Sequence, residues 1–484
     1  LDFAMKRFIQ SVDRSQGTLF PEHLDDYVQV DNPVRVVDVF VEQLDLGELG
    51  FTSVTPLLTG RPAYHPSVLL KLYIYGYLNR IQSSRRLERE SQRNLELIWL
   101  TGRLMPDFKT IANFRKDNGP AIRKVCSQFV LLCRQLNLLT EASVAIDGSK
   151  FKAVNNRDNN FTANKVERRR EQIEASIGRY LAALASADRQ ESTDFMAAKI
   201  QRLQDKVVLL KEHLEKLKTI ETQLQEAPDK QISLIDPDAR SMATSGRGSG
   251  MVGYNVQTAV DTKHHLIVAH EVTNVGHDRN QLANMAEQAK TAIGADELRV
   301  VADRGYFDSE EILKCQEAGI VPIVPKCITS GAQADGRFGK ADFIYHAEKN
   351  EYRCPAGQSL IWRSSRVERG LNLHRYWSSH CGQCEIKAQC TPSSERRVSR
   401  WEHEAVLEAM QLRLDQAPDS MRIRRQTVEH PFGTLKAWMG STHFLTKTLK
   451  RVSTEMSLHV LAYNLKRVMK ILGTTALMEA MVVA

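Results

Sequence analysis

Apolar residues in the first quarter of the chain recur at three- and four-residue spacing, which predicts helices over residues 1–125. The pattern is clearest from His65 to Ile98, where the basic turn Ser83–Arg86 interrupts it, and a second basic segment follows at Thr110–Lys116. Short helices joined by turns with exposed Arg and Lys are typical of a helix-turn-helix DNA-binding domain. They are also typical of a plain helical bundle with solvated basic residues, and the residues alone slightly favour the bundle.

After the helical segment the chain alternates between apolar strand-like runs and helices. A first run ends at Asp147, and two later runs flank the polar segment Asp261–His265, which predicts a hairpin turn. Helices and strands then alternate, and one of these strands ends at Asp303. A hairpin beside the first strand, followed by alternating helices and strands, predicts a mixed sheet covered on both faces. We expect this α/β core to comprise residues 140–160 and 250–328.

The two parts of the core are separated by a long helical segment, residues 161–226. Its apolar positions alternate between three- and four-residue spacing, as they do in a coiled coil. The polar break Ser186–Asp194 divides it into two helices. The pattern therefore predicts an antiparallel helical hairpin, whose apolar seam is structural or, as the lesser alternative, serves self-association.

Residues 329–400 interrupt the α/β pattern and are rich in cysteine. Four of the cysteines include a Cys-x-x-Cys pair, and they are Cys354, Cys381, Cys384 and Cys390. This spacing resembles that of a zinc ribbon, and His374 or His380 could replace one ligand. The segment is therefore expected to be a zinc-binding insert, with free structural thiols as the alternative.

Composition places the chain among globular proteins. With 484 residues, 42% hydrophobic and 26% charged, the chain is expected to form two to four domains. Between residues 361 and 400, eight Arg and Lys oppose three Glu, and this excess is most of the net charge of +8. A basic insert of this kind is expected to contact DNA. No apolar run reaches the length of a membrane span and the cysteines do not suggest a secreted scaffold, so a cytoplasmic protein is expected.

Three acidic residues that are distant in sequence lie in settings suited to a metal-dependent nuclease. Asp147 and Asp303 each end an apolar run, and Glu429 lies in a basic helical stretch within the predicted C-terminal helices, residues 401–484. Carboxylates at the carboxyl ends of buried strands meet at one sheet edge, where open α/β sheets bind ligands. Any one of these acids alone would more often be a helix cap or a solvated ion pair. The three together favour a shared site for hard divalent cations.

A spaced motif around Glu429 gives these acids a family context. Arg425, Glu429 and Lys436 occupy the last three positions of the signature Tyr-x-x-Arg-x-x-x-Glu-x-x-x-x-x-x-Lys, and Arg422 stands where the signature has Tyr. The phrases Asp236–Arg240, Gly253–Gln257 and Ala302–Tyr306 occur in the same order as in that group. The chain resembles the bacterial insertion-sequence transposases of the Asp-Asp-Glu (DDE) type that carry this signature.

The resemblance implies a ribonuclease-H-like catalytic core interrupted by the two inserts and preceded by the all-α N-terminal domain. It implies that Asp147, Asp303 and Glu429 hold two Mg²⁺ or Mn²⁺ ions. Arg425 and Lys436 would share the helical face of Glu429 and contact DNA phosphates. The expected partners are double-stranded DNA, both the terminal inverted repeats and the target, and a second copy of the chain in a synaptic dimer. Nucleoid association in a bacterial cytoplasm follows from such partners.

The expected activity is strand cleavage at the ends of the element, followed by attack of the freed 3′-hydroxyl on target DNA. Two other functions stay open from the sequence. One is a domesticated DNA-binding regulator without nuclease activity, against which the presence of all three acids argues. The other is a structure-specific nuclease that cuts DNA without joining it.

Overall fold

The computed structural model describes residues 23–56, 62–139, 143–187, 189, 194–227, 229–242, 250–326, 331–332 and 334–483. The part of the predicted N-terminal domain before residue 23 lies outside these residues. The chain folds as two compact units, one formed by residues 1–125 with 461–484 and the other by residues 126–460. The predicted group of C-terminal helices, 401–484, is thus divided between the two units.

Helices alone occur among the described residues before Ser143, and strands and helices both occur after it. The helices are α1 (Pro33–Glu42), α2 (Pro66–Leu78), α3 (Ser84–Ser91), α4 (Leu95–Leu100), α5 (Phe108–Asp117), α6 (Gly119–Gln135), α7 (Ala163–Ala187), α8 (Asp194–Glu226), α9 (Leu282–Ile293), α10 (Ser309–Glu317), α11 (Lys387–Cys390), α12 (Glu404–Gln416), α13 (Ser420–Gly433), α14 (Leu449–Leu472) and α15 (Thr474–Val483). The strands are β1 (Ser143–Lys152), β2 (Asn160–Thr162), β3 (Gln231–Ser233), β4 (Arg240–Met242), β5 (Met251–Asp261), β6 (Ile267–Thr273), β7 (Leu298–Val301), β8 (Ile320–Ile323), β9 (Ile344–His346), β10 (Glu351–Arg353), β11 (Ser359–Glu368), β12 (Leu371–Trp377) and β13 (Val398–Trp401). Within the described residues, none of the helices is both long enough and apolar enough to span a bilayer.

The first unit is built around α2. This helix is buried on almost every side, as expected for a helix that is apolar around its whole circumference. Its one buried cation, Lys71, forms an ion pair with Asp38 on α1 at 2.7 Å, and the Tyr73 hydroxyl donates to the Ile111 carbonyl oxygen on α5 at 2.9 Å. Helix α1 begins at Pro33, where the Asn32 side chain caps its first turn, and it packs against α15. The apolar spacing that predicts helices in this region therefore reflects a helical unit with α2 at its centre.

The second unit contains the mixed sheet that the sequence predicts. Its strand order is β4-β5-β1-β7-β8, and β6 also pairs with β5. Strand β5 runs antiparallel to β1, β4 and β6, whereas β7 is parallel to β1 and β8 is parallel to β7. Helices α9 and α13 both pack against β1 and β5, and α10 packs on β8. The fold is therefore mixed α/β, with the antiparallel hairpin next to the first strand.

The chain leaves this sheet after β1 and returns to it through an antiparallel helical hairpin. Helices α7 and α8 pack along a seam of their own, formed by Val166, Ile173, Leu217, Ile220 and Leu224. Arg170 on α7 forms an ion pair with Glu221 on α8, and Lys206 lies over the ring of Tyr180, so the two helices run in opposite directions. At the base, β2 pairs with β3 and brings the two ends of the insert together.

Residues 344–401 form a second, antiparallel sheet in the order β13-β12-β11-β10-β9, which the sequence analysis did not predict. The side chains of β11 are mostly exposed, so its hydrophobic pattern carries little strand signal. The core of this sheet is small and consists of Phe343, Tyr352, Leu360, Tyr376 and Val398. The predicted C-terminal helices, residues 401–484, begin later, at Glu404, because Trp401 pairs with Leu373 as the last residue of β13.

The close pairing of β1 with β5 depends on a glycine. A Cβ atom at Gly253 would lie 2.0 Å from the carbonyl oxygen of Phe151, a backbone atom that cannot move aside. We therefore expect Gly253→Ala to lower the free energy of unfolding by at least about 2 kcal/mol, the usual cost of overpacking. Thermal unfolding of the full chain measures this change.

Gly178 provides the matched control. It lies on the exposed face of α7 with no atom within 4 Å of an added Cβ. Gly178→Ala should raise stability by about 0.5–1 kcal/mol, since Ala is the better helix former. An unchanged melting temperature for Gly253→Ala would contradict the packing described for β1 and β5.

Candidate active site

The parallel register of β1 and β7 brings Asp147 and Asp303 level with each other. Ala145 is the partner of Val301, so residues two positions further along each chain segment lie at the same sheet edge. Asp147 lies opposite Thr258 of β5, and β1 continues beyond it. Asp303 follows β7 and caps a short 3₁₀ helix by accepting a hydrogen bond from the Gly305 backbone N–H at 2.8 Å. The sheet therefore holds both carboxylates side by side just beyond the last parallel pair of β1 and β7, although β1 itself does not end at Asp147 and continues to Lys152.

A single cation, the Arg424 guanidinium on α13, contacts both carboxylates. Its Nη2 atom lies 2.5 Å from Asp147 Oδ1 and 3.5 Å from Asp303 Oδ2. The Arg424 side chain is 14% exposed and that of Asp147 24%, whereas that of Asp303 is 46% exposed. The Arg424 Nε atom is buried and has no acceptor among the described residues. The guanidinium thus compensates the more buried carboxylate and leaves Asp303 open to solvent.

The electrostatics of this edge are set by burial and by neighbouring acids. Burial raises the pKa of Asp147 to about 6, and the Arg424 guanidinium opposes this shift. The carboxylates of Asp303 and Asp278 raise the pKa of Asp147 further. A cluster of carboxylates in a partly dehydrated edge favours either a proton or a cation. The edge is therefore suited to a cation with oxygen ligands.

Asp278 is a third carboxylate at this edge, and the sequence analysis did not identify it. Its Oδ1 atom accepts hydrogen bonds from Asn255 Nδ2 and Gln257 Nε2, both at 2.7 Å, and an ion pair with Lys150 at 3.3 Å. The buried Tyr306 hydroxyl donates in turn to Gln257 Oε1. Asp278 lies in the loop before α9 and does not follow a strand, so the rule that found Asp147 and Asp303 could not find it.

Two glycines allow these carboxylates to approach the backbone. A Cβ at Gly148 would lie 2.6 Å from Asp278 Oδ1 and 2.4 Å from Gln257 Nε2. A Cβ at Gly305 would lie 2.9 Å from Asp303 Oδ1 and 4.0 Å from Asp278 Oδ2. Asp278 is therefore within a few ångströms of both Gly148, which follows Asp147, and Gly305, which follows the Asp303–Arg304 turn.

The third acid that the sequence predicts, Glu429, lies on α13 but not against the other two. Its side chain is exposed, and no described residue forms a hydrogen bond or an ion pair with it. Thr427 and Val428 form the buried face of α13, and Arg424 lies one turn before Val428 on the same side. Glu429 is five residues beyond Arg424, so the helix presents it in a different direction. The structure thus brings Asp147 and Asp303 together and leaves Glu429 apart.

The two predicted phosphate-binding cations occupy different environments. Arg425 is exposed next to Arg424. Lys436 is half-buried, donates to Ser149 Oγ at 2.6 Å and to the Lys150 carbonyl oxygen at 3.0 Å, and lies over the ring of Phe151. Burial lowers the pKa of Lys436, and the Asp147 carboxylate opposes that shift. Lys436 lies in a π-helical turn that follows Pro431, so counting seven residues from Glu429 does not place it on the same face.

Among the described residues, no three His, Cys, Asp or Glu side chains stand in a formed metal-binding group. The donors at the sheet edge nevertheless fit a hard divalent cation in kind, because the carboxylate oxygens of Asp147 and Asp303 already share one cationic partner.

The four cysteines of the predicted zinc site, Cys354, Cys381, Cys384 and Cys390, line one small cavity of about 30 Å³ beside the second sheet, together with His380. His374 instead bonds to Ser365 on β11.

Comparison with known protein families matches both units of the chain. Residues 22–117 match the model of a transposase domain, DUF772, and residues 227–465 match the model of the transposase DDE domain. The second match includes Asp303, Glu429 and the strands β5 to β8, and begins beyond Asp147. The chain belongs to the insertion-sequence transposases of the DDE type.

Other comparisons add little to this assignment. No curated protein is significantly similar to the chain. A solved structure of a piggyBac transposase synaptic complex with hairpin DNA aligns with 94% of this chain and 79% of its own, at 9% sequence identity and a TM-score of 0.33. A likeness at that TM-score supports no conclusion about fold or function.

The shared guanidinium gives a direct test of the carboxylate pair. Arg424→Met keeps the volume but leaves Asp147 without its cation, so the variant without divalent metal should lose about 1–3 kcal/mol of stability. Arg425→Met, one residue along on the exposed side, should change stability by less than about 0.5 kcal/mol. Thermal unfolding in the presence of a chelator compares the two variants.

A second substitution separates the ion pair from simple packing. Adding Asp147→Asn to Arg424→Met removes the uncompensated charge, so the double variant should recover part of the lost stability. Strictly additive losses in this cycle would show that Arg424 stabilises the site through packing alone.

Proposed function

We propose that this transposase binds the terminal inverted repeats of its own insertion sequence, cleaves DNA strands there and joins the 3′ ends to target DNA. The observation that carries the proposal is the meeting of Asp147 and Asp303 at one sheet edge, where both contact one cation. Residues that are 156 positions apart in sequence would not converge in this way through helix capping or surface ion pairing alone. The family assignment supports the reaction class, and this convergence supports Asp147 and Asp303 as part of the active site.

Asp147 and Asp303 would hold divalent ions, Mg²⁺ or Mn²⁺, and Glu429 would complete the set. A pair of such ions supplies activation of the attacking oxygen and stabilisation of the leaving oxygen in phosphodiester chemistry. Arg424 would have to leave the two carboxylates, since its guanidinium contacts the oxygens that would bind metal. Because Glu429 and Arg424 point in different directions from one helix, we propose that α13 shifts or turns when the DNA-bound site assembles.

The reaction needs two phosphodiester exchanges. In the first, water attacks the phosphorus at the end of the element, and the bond to the 3′ oxygen breaks to leave a free 3′-hydroxyl. In the second, that 3′-hydroxyl attacks a phosphorus of the target strand and displaces the 3′ oxygen there. Asp147 and Asp303 would stay ionised throughout to hold the cations, and no covalent bond between protein and DNA is required.

The proposed ribonuclease-H-like core consists of the mixed sheet, β1 with β4–β8, and the helices packed on it. The antiparallel hairpin next to β1 and the parallel strands β7 and β8 support that assignment. The helical unit that matches the DUF772 model is proposed as the domain that binds the inverted repeats, with α3 contributing exposed Arg85 and Arg89. A synaptic homodimer on two element ends, acting at the nucleoid in the cytoplasm, completes the proposal.

The three acids can be tested one at a time. Asp147→Asn, Asp303→Asn and Glu429→Gln should each reduce Mg²⁺-dependent cleavage of inverted-repeat DNA by at least about 100-fold, while binding of the same DNA is retained. Gel assays of nicking and of band shift on the same DNA measure the two properties.

Glu297→Gln serves as the control, because Glu297 is an exposed acid just before β7 with no contact to the site. The control should cleave like the parent chain. If Asp147→Asn or Asp303→Asn retains full cleavage, the proposed site is wrong. If the protein never joins a precut DNA end to target DNA, it is a nuclease that lacks strand-transfer activity.

The contacts of the two basic residues, Arg425 and Lys436, support different roles for them. Arg425 is exposed and can contact a DNA phosphate, so Arg425→Ala should weaken DNA binding uniformly across sequences. It should also reduce, by about one, the slope of the logarithm of the DNA-binding constant against the logarithm of the salt concentration. Lys436 is bound to β1, so Lys436→Met should mainly lower thermal stability. Equal losses of salt slope in both variants would contradict this division of roles.

A further inference from the structure

The cysteine-lined cavity beside the second sheet has no role in the proposed DNA chemistry. Cys354 comes from the turn between β10 and β11, whereas Cys381, Cys384 and Cys390 come from the segment between β12 and β13. The four thiols are thus gathered from two separate segments around one cavity of about 30 Å³, large enough for about one or two water-sized groups. Every one of them is half-buried and free of disulfide bonds.

The turn at Cys354 directs a backbone donor at the sulfur atom of that residue. The Gln358 backbone N–H donates to Cys354 Sγ at 3.3 Å, while Cys354 N–H donates to the Gln358 carbonyl oxygen at 2.9 Å. Gly357, with φ of +77°, closes this turn in a conformation that residues with a side chain rarely adopt. The turn thus fixes the position of Cys354 at the edge of the cavity.

The hydrophobic core of the sheet next to the cavity is small. Its core has five buried hydrophobic residues, and Cys354 and Cys390 pack against them. Small modules with so few core residues usually need a disulfide or a structural metal. The described cysteines are free of disulfide bonds, and a structural metal bound by four of them would supply such a crosslink.

We propose that Cys354, Cys381, Cys384 and Cys390 bind one structural Zn²⁺ ion that fastens the β10–β11 turn to the segment between β12 and β13. A set of four thiolates suits Zn²⁺, a borderline-soft ion that accepts tetrahedral sulfur ligands. Each thiol releases its proton when the metal binds. No three candidate ligands in the described residues stand at coordination distances, so the two segments must move closer together to bind the ion.

The first test uses the unaltered full chain, purified without chelators from cells grown with zinc. Mass spectrometry of the metal content should find about one zinc per chain. Replacement by Co²⁺ should produce the charge-transfer absorption of thiolate-bound cobalt. Carboxylate sites such as Asp147 and Asp303 cannot give that absorption, so this result is independent of the proposed catalytic metals.

Substitutions at Cys384 supply the second test. Cys384→Ser should lower zinc affinity by at least about tenfold, whereas Cys384→His should retain zinc because imidazole is also a zinc ligand. Cys315→Ala, which removes a buried thiol on α10, is the matched control and should keep the full zinc content. A chain with negligible zinc and no thiolate–cobalt band would overturn the proposal. So would zinc binding that survives Cys354→Ser combined with Cys384→Ser.

Discussion

The repulsion between carboxylates at the carboxyl edge of the mixed sheet is the constraint on which the site depends. Strand pairing places Asp147 and Asp303 side by side, and Asp278 adds a third negative group. Burial makes the ionised state of Asp147 costly, so the fold supplies a positive partner from another element. That partner is Arg424, held on the buried face of α13. The position of α13 against the sheet is therefore coupled to the charge state of the edge.

The sequence predicted the parts of this arrangement that follow from local periodicity. Apolar runs that end in Asp identified both strand-held acids, and the parallel order of β1 and β7 then required them to meet. Asp278 was not predicted, because its partners, Asn255 and Gln257, come from β5 and a single sequence does not reveal such contacts between distant segments. Arg424 was not predicted for a similar reason. Three of the four residues at 422–425 are Arg, and only packing in the folded chain distinguishes Arg424 from the other two.

Helical counting failed where the helix is irregular. The expectation that Glu429 and Lys436 share one face assumes regular α-helix, whereas Pro431 and the π-helical turn change the rotation between them. The second sheet was missed because its strands are short or largely exposed, so burial imposes little alternation on their sequence. Gathering of the cysteines around one cavity, by contrast, follows the grouping that their spacing indicated. Local chemistry was thus more informative than local periodicity in this part of the chain.

The helical hairpin has an architectural consequence of its own. Helices α7 and α8 bury their apolar residues against each other, and the paired strands β2 and β3 join the two ends of the helical hairpin. Whole turns could therefore be added to or deleted from both arms together while the spacing of the ladder is preserved. Such an appendage can diverge in length, or be exchanged for another, without disturbing the pairing that aligns the strands on either side. The hairpin is in that sense a modular part of the fold, and its length can vary at little cost in stability.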